Sequence, residues 1–258
     1  MSPEAPIRLS VFFAVLLGMM IWERFAPRRA AQRRALRWPG NLGVGALNAL
    51  LLALAPLSAV GAALFSIFNQ FGLLLWLQLP LWPSIIISLL LLDLAVYWQH
   101  RLFHAIPMAW KFHRMHHTDT EFDATTALRF HPLEIVVSML IKAAVIVLLG
   151  APVLAAIAFE IILNAAAMFN HGNVKLPRLA DRALRWLVVT PDMHRVHHAV
   201  HADEYNRNYG FSLSLWDRLF GSYAAQPRDG HAAMQIGQRN YRARDEARLD
   251  RLLTQPFR

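Results

Sequence analysis

Four stretches of this chain are too apolar and too long to be left in water, and they decide what it can fold into. They are Ile7–Trp22, Val44–Phe68, Pro83–Trp98 and Leu133–Phe169. A helix that crosses a bilayer needs about 20 apolar residues. In hydrocarbon, only a helix or a closed barrel satisfies its own backbone polar groups. The last stretch is interrupted by Gly150-Ala151-Pro152, a turn signal, and reads as a hairpin of two short spans. Composition agrees: 56% of the 258 residues are hydrophobic and 17% are charged, against roughly 25% charged in soluble domains. The competing reading, a buried helix pair in a soluble domain, leaves the other spans unexplained. The expected fold is therefore all-α, a polytopic membrane bundle of about four to five membrane helices.

Charge sets the orientation. The segment Glu23–Gly40 holds six Arg and one Glu, whereas Asn69–Pro80 and the hairpin tip hold no charge. The positive-inside rule puts the Arg segment in the cytoplasm and the N-terminus outside. The first span has one Arg before it, an Arg cluster after it and no small-residue cleavage site, so it reads as a retained anchor. Following the spans along the chain brings His100–His117, His171 and everything after it to the cytoplasmic face, as a histidine-rich helical cap. Histidine played no part in that assignment. The expected setting is an integral protein of a bacterial inner membrane with its active site on the cytoplasmic side. The net charge of +9 then points to anionic lipid beside the spans, and nucleic acid is not an expected partner. Three divisions follow: anchor helices over 1–80, a catalytic domain over 81–223 and a polar basic tail over 224–258, read as a surface helix or disordered.

Five of the eighteen residues from His100 to His117 are histidine, and His194-Arg-Val-His-His198 follows later. His100 and His104 are four apart, which puts them on one helical face. His113, His116 and His117 share a face, and His194, His197 and His198 repeat that spacing. Imidazole suits iron, zinc and copper, and eight imidazoles exceed what one ion needs, so the count fits two neighbouring ions. With no Cys in the chain, thiolate sites are excluded. The zinc-protease motif needs Glu after its first His, and the soluble di-iron bundles need Glu-x-x-His. Neither accompanies these clusters.

In this order, and with "YWQHRLFH", "WKFHRMHH", "LRFHPLE", "NHGN", "HRVHH" and "NYGFSLSLWDRLFGSY" around them, the clusters resemble the fatty acid hydroxylase and sterol desaturase superfamily over about residues 93–223. The resemblance implies a di-iron centre of two iron ions, with zinc as a substitute in a purified protein. It implies O2-dependent hydroxylation or desaturation of a lipid C–H bond, a lipid substrate drawn from the bilayer, and electrons from a separate donor protein. Carried onto this sequence, the ligands are His100, His104, His113, His116, His117, His194, His197 and His198, with His171 of "NHGN" as a ninth. His131 of "FHPLE" is either a tenth ligand or a residue that supports the ligands. No catalytic residue beyond the ligands is assigned. The alternatives are a metal-storing or metal-transporting membrane protein and a membrane protein with structural zinc.

Several other polar residues carry expectations. Asp93 lies inside the third span, where a carboxylate is expensive. It is expected to orient a ligand on a neighbouring helix, either His171 or one of the last cluster, or else to make a structural hydrogen bond. Lys142 and Glu160 lie at matching depth on the two arms of the hairpin and are expected to pair. Asn206 and Asn208 are candidate partners of the metal site. His201 and His231 read as incidental. Tyr97, Trp98, Phe103, Trp110 and Phe112 read mostly as an interfacial aromatic belt.

Overall fold

The apolar stretches become helices that run until a Gly or Pro stops them. The computed structural model describes residues 5–258, which are helical with no extended strand. The helices are α1 (Ala5–Phe25), α2 (Arg34–Leu54), α3 (Ala59–Asn69), α4 (Leu73–Trp76), α5 (Leu81–Ala105), α6 (Pro107–His117), α7 (Pro132–Leu149), α8 (Val153–Asn170), α9 (Arg178–Leu184), α10 (Pro191–His197), α11 (Ala202–Tyr205), α12 (Leu215–Leu219), α13 (Gly230–Ala233) and α14 (Leu249–Thr254). Five segments are long and apolar enough to cross a membrane: α1, the stretch from α2 to α4, α5, α7 and α8. The chain is an integral membrane protein built around them.

The expected single span over Val44–Phe68 is broken instead. Pro56 ends α2 two residues earlier, and the Ser58 hydroxyl restarts the chain by accepting the Gly61 N–H at 3.0 Å. Asn48 Nδ2 donates to the Phe130 carbonyl at 2.8 Å, at the foot of α7. At the top of α7, Gly72 meets Gly150 so closely that a Cβ on Gly72 would lie 2.2 Å from the Gly150 nitrogen. Both glycines also have positive φ, at 127° and 65°, which only glycine adopts freely. The second half of α2 and α3 therefore run together along the length of α7. The first half of α2 continues past the foot of α7 and packs on the turn Ala124–Leu128 and on α14. Arg34–Gly40, which lies before the apolar stretch, is already helix.

The hairpin pair forms, with an addition. Lys142 Nζ lies 3.7 Å from Glu160 Oε1, and Arg8 of α1 reaches Glu160 Oε2 at 2.5 Å. One carboxylate thus ties three apolar helices, because a charge on a membrane-crossing helix is costly without a partner.

The tail is neither loose nor peripheral. Leu252 is fully buried with Val44 and Met115, while Met234 and Ile236 pack on Phe122 and Ala199. Gly40 allows it: a Cβ there would stand 2.0 Å from the Ala247 carbonyl oxygen. Its arginines are held by carboxylates, as where Arg258 Nη2 meets Glu246 Oε2 at 2.8 Å and Arg251 meets Asp245 at 3.4 Å, and its Tyr241 receives Arg114 of α6 at 4.8 Å.

Candidate metal centre

Local sequence aims the histidines at one another. Pro107 ends α5 and opens α6 at its first position, folding α6 back so that His113 faces His100. At α10, Pro191 again takes the first position and the Thr190 hydroxyl accepts the Met193 N–H. His171 is the residue that ends α8. All of these lie at one end of the bundle, where α5 and α8 finish and α7 begins.

Nine imidazoles meet there in two groups, each with its nitrogens within 4.8 Å of one another. His100, His104, His113, His117 and His197 form the first group. His116, His171, His194 and His198 form the second. Both α6 and α10 divide their histidines between the groups. Eight of the nine are buried; His104, against Trp110 and Tyr205, is partly exposed.

The protons on these rings are assigned by their neighbours. His100 donates from Nδ1 to the Tyr209 carbonyl at 2.8 Å, His113 to Glu134 Oε1 at 2.7 Å, and His197 to the Arg207 carbonyl at 2.7 Å. A neutral imidazole has one N–H, so each Nε2 carries a lone pair. Yet His100 Nε2 lies 3.1 Å from His113 Nε2 and 3.0 Å from His197 Nε2. In the second group His171 donates from Nδ1 to the Ala167 carbonyl at 2.7 Å, leaving its Nε2 lone pair 3.0 Å from His116 and 3.2 Å from His194. Lone pairs held face to face repel unless a cation lies among them. The donor set therefore fits metal ions. Burial also pushes His116, His117, His194, His197 and His198 well below the ordinary imidazole range, and His171 to about 4. These six rings are thus neutral, as metal ligands must be.

Other residues behave differently from their sequence reading. His131 caps α7: its Nδ1 accepts the Leu133 N–H at 3.2 Å, and its Nε2 faces the Leu253 carbonyl at 3.2 Å. It joins neither group. Asp93 touches no histidine; its Oδ2 accepts from Trp216 Nε1 at 2.9 Å and from the Leu213 N–H at 3.1 Å. It lies two turns from His100 on the same helix, and Trp216 of α12 with the preceding Leu213 covers it instead of a histidine. Asn206 Oδ1 does approach His104 Nδ1, at 3.2 Å. Asn208 instead donates to the Met193 and Ala224 carbonyls. Tyr97 is no belt residue: it is buried and its hydroxyl bonds to Ser222 at 2.8 Å. His201 is part-exposed near Asp229, whereas His231 is buried beside Asp192, with 3.7 Å between them.

Two carboxylates that orient these histidines carry no signal in the sequence. Glu134 holds His113 directly. In sequence it looks like an ordinary acidic residue in a helix's first turn, and "HPLE" gives no reason to turn it inward. Asp217 acts one step back: it accepts the Tyr209 and Gly210 N–H groups at 2.7 and 2.8 Å and so fixes the carbonyl that receives His100. Burial raises its pKa to about 6. A ring N–H bound to a carboxylate fixes a ligand's orientation and basicity. We expect Glu134→Gln to lower metal affinity or activity by about 10–100-fold, read by chelator competition; an unchanged affinity would remove Glu134 from this role.

The family described as fatty acid hydroxylase matches residues 85–222. The chain is 28% identical to ornithine lipid hydroxylase OlsE of Rhizobium tropici over 151 residues, 58% of this chain and 45% of that one. It is 27% identical to human alkylglycerol monooxygenase over 139 residues, covering 52% and 29% of the two chains. It is also 27% identical to the fatty acid hydroxylase vlmA of a Lecanicillium species over 173 residues, covering 61% and 47%. The matches span less than half the length of these relatives. No solved structure gives a significant match.

Proposed function

The chain belongs to the fatty acid hydroxylase family, and on that premise we propose that it is a membrane-bound di-iron oxygenase that hydroxylates or desaturates a lipid. The observation that carries the reading is the set of facing lone pairs on His100, His113 and His197, together with the His171 Nε2 lone pair aimed at the His116 and His194 rings. The nine histidines of the two groups would hold two iron ions, and these would supply the activation of O2 that side chains cannot provide. The relatives named above act, by their names, on ornithine lipids, alkylglycerols and fatty acids, which supports a lipid as substrate. Electrons come from a separate donor protein.

The chain's own residues prepare the site. Tyr209, Arg207 and Ala167 carbonyls and the Glu134 carboxylate keep the ring protons on Nδ1, so each Nε2 stays free to ligate. Phe130 stacks on His116 at 4.3 Å, and Phe122 lies 5.1 Å from His198. These rings exclude water from the second group. In the first group His104 is the partly exposed member, which makes its face the approach from outside.

The test is expression in cells, followed by lipid mass spectrometry, metal analysis and O2 consumption. The reading expects two irons per chain, O2 uptake and lipids heavier by one oxygen or lighter by two hydrogens. Bound metal without O2 uptake or lipid change would favour storage or structural zinc instead. The orientation is testable separately. Reporter fusions at Gln70 and Arg258 should report opposite sides of the membrane, with Arg258 cytoplasmic; a shared side overturns the cytoplasmic placement of the histidines.

A further inference from the structure

A cavity of about 540 Å³ lies between the chain leaving α1, the turn before Ala124 and the folded tail. Arg28, Arg29, Arg33 and Arg242 line it, with Glu121 and Phe122. Two of these charges are already matched. Arg28 Nε lies 3.0 Å from both Asp192 oxygens. Glu121 pairs with Arg37 at 3.3 Å and accepts the Gln32 and Arg33 N–H groups at 2.8 and 3.1 Å. Arg29, Arg33 and Arg242 meet no carboxylate among the described residues. Arg29 and Arg242 are steadied on the tail, by the Met234 carbonyl at 2.9 Å and the Ile236 carbonyl at 3.0 Å. Each keeps the rest of its guanidinium fork free. Burial and the neighbouring Arg28 pull Arg29 below the usual guanidinium range, a shift that an anion would reverse.

We propose that this cavity binds the phosphate of an anionic glycerophospholipid headgroup. Guanidinium forks match phosphate oxygens two at a time, and three of them without counter-ions surround one space. The lipid source follows from position. The cavity opens directly beyond the end of α1, where Phe25 is 82% exposed and Trp22 is 38% exposed on a membrane-spanning helix. Headgroup phosphates occupy that level of the bilayer. Phe122, on the cavity wall, lies 5.1 Å from the His198 ring and 5.4 Å from His171. The bound phosphate therefore sits one aromatic ring away from the second histidine group. The proposal stands without the oxygenase reading.

The experiment is native mass spectrometry of the full chain in detergent, titrated with phosphatidylglycerol, diacylglycerol or inorganic phosphate. At about fivefold per basic residue, the triple variant Arg29→Gln, Arg33→Gln, Arg242→Gln should lose about a hundredfold in phosphatidylglycerol affinity. A control triple, Lys175→Gln, Arg178→Gln, Arg182→Gln, removes the same charge from exposed side chains outside the cavity and should change affinity less than twofold. Arg242→Gln alone, at an exposed residue, should cost about fivefold even if the triple variant folds poorly. Diacylglycerol should bind no better to the wild type than to the triple variant. Equal losses in the two triples, or no loss in Arg242→Gln, overturn the site. If inorganic phosphate binds as tightly as the lipid and displaces it, the site takes free phosphate and the lipid assignment falls.

Discussion

His100→Ala is expected to accumulate in the membrane, lose metal from the first group and turn over no substrate. His100 is the hub of that group, with its Nε2 3.1 Å from His113 and 3.0 Å from His197. Replacing only a residue that orients a ligand typically costs 10–100-fold; removing the ligand itself costs more. Asp93→Asn on the same helix supplies the contrast. Its side chain keeps an acceptor for Trp216 Nε1 and touches no histidine, so metal content should be unchanged. Metal analysis of both variants beside a turnover assay decides. An active His100→Ala would end the di-metal reading.

Arg37→Met is expected to unfold the chain at a markedly lower temperature, whether or not metal is bound. Arg37 is 1% exposed and reaches Asp119, with Nη2–Oδ2 at 2.6 Å, and Asp123 at 2.7 Å. Thr126 joins the network at 3.1 Å, and Arg129 links it through Asn41 at 3.1 Å. Burial alone would raise the Asp119 carboxyl, but the Arg37 guanidinium outweighs it and holds Asp119 well below the usual carboxylate range. Removing one partner of a buried pair strands the other and costs about 3–5 kcal/mol. Thermal unfolding in detergent measures the loss. The double variant Arg37→Met, Asp119→Asn should recover part of it, since one stranded charge is then gone. A loss equal to that of an exposed arginine such as Arg178 would show that the network is not structural.

The spans were legible because hydrocarbon imposes one rule on every residue of a crossing helix. The histidine spacing was legible because a helix repeats every 3.6 residues, so His113, His116 and His117 announce a shared face. That signal had a blind spot: residues on one face need not serve one ion, and His116 faces the opposite group from its neighbours. Arg37, Asp119 and Asp123 were illegible because their partners lie over 80 residues apart. In sequence Arg37 is one more arginine after the first span, and only the passage of α2 beyond the foot of α7 buries it. Asp93 failed for a related reason. A costly intramembrane carboxylate does need a partner, but the donors that found it, Trp216 of α12 and the Leu213 N–H just before that helix, belong to a segment whose path no spacing rule gives.

The splitting of α6 and α10 between the two groups has a bearing on how the molecule is made. The first group holds His100 and His104 from α5 but also waits for His197, and the second waits for His194 and His198. The first group cannot be completed before residue 197 is made, nor the second before residue 198. By then every span from α1 to α8 has already been synthesised. Completion of both groups thus waits on one seven-residue helix and the histidine that ends it, and a chain stopped short of them would carry four of the five histidines of the first group and two of the four of the second, with neither site finished.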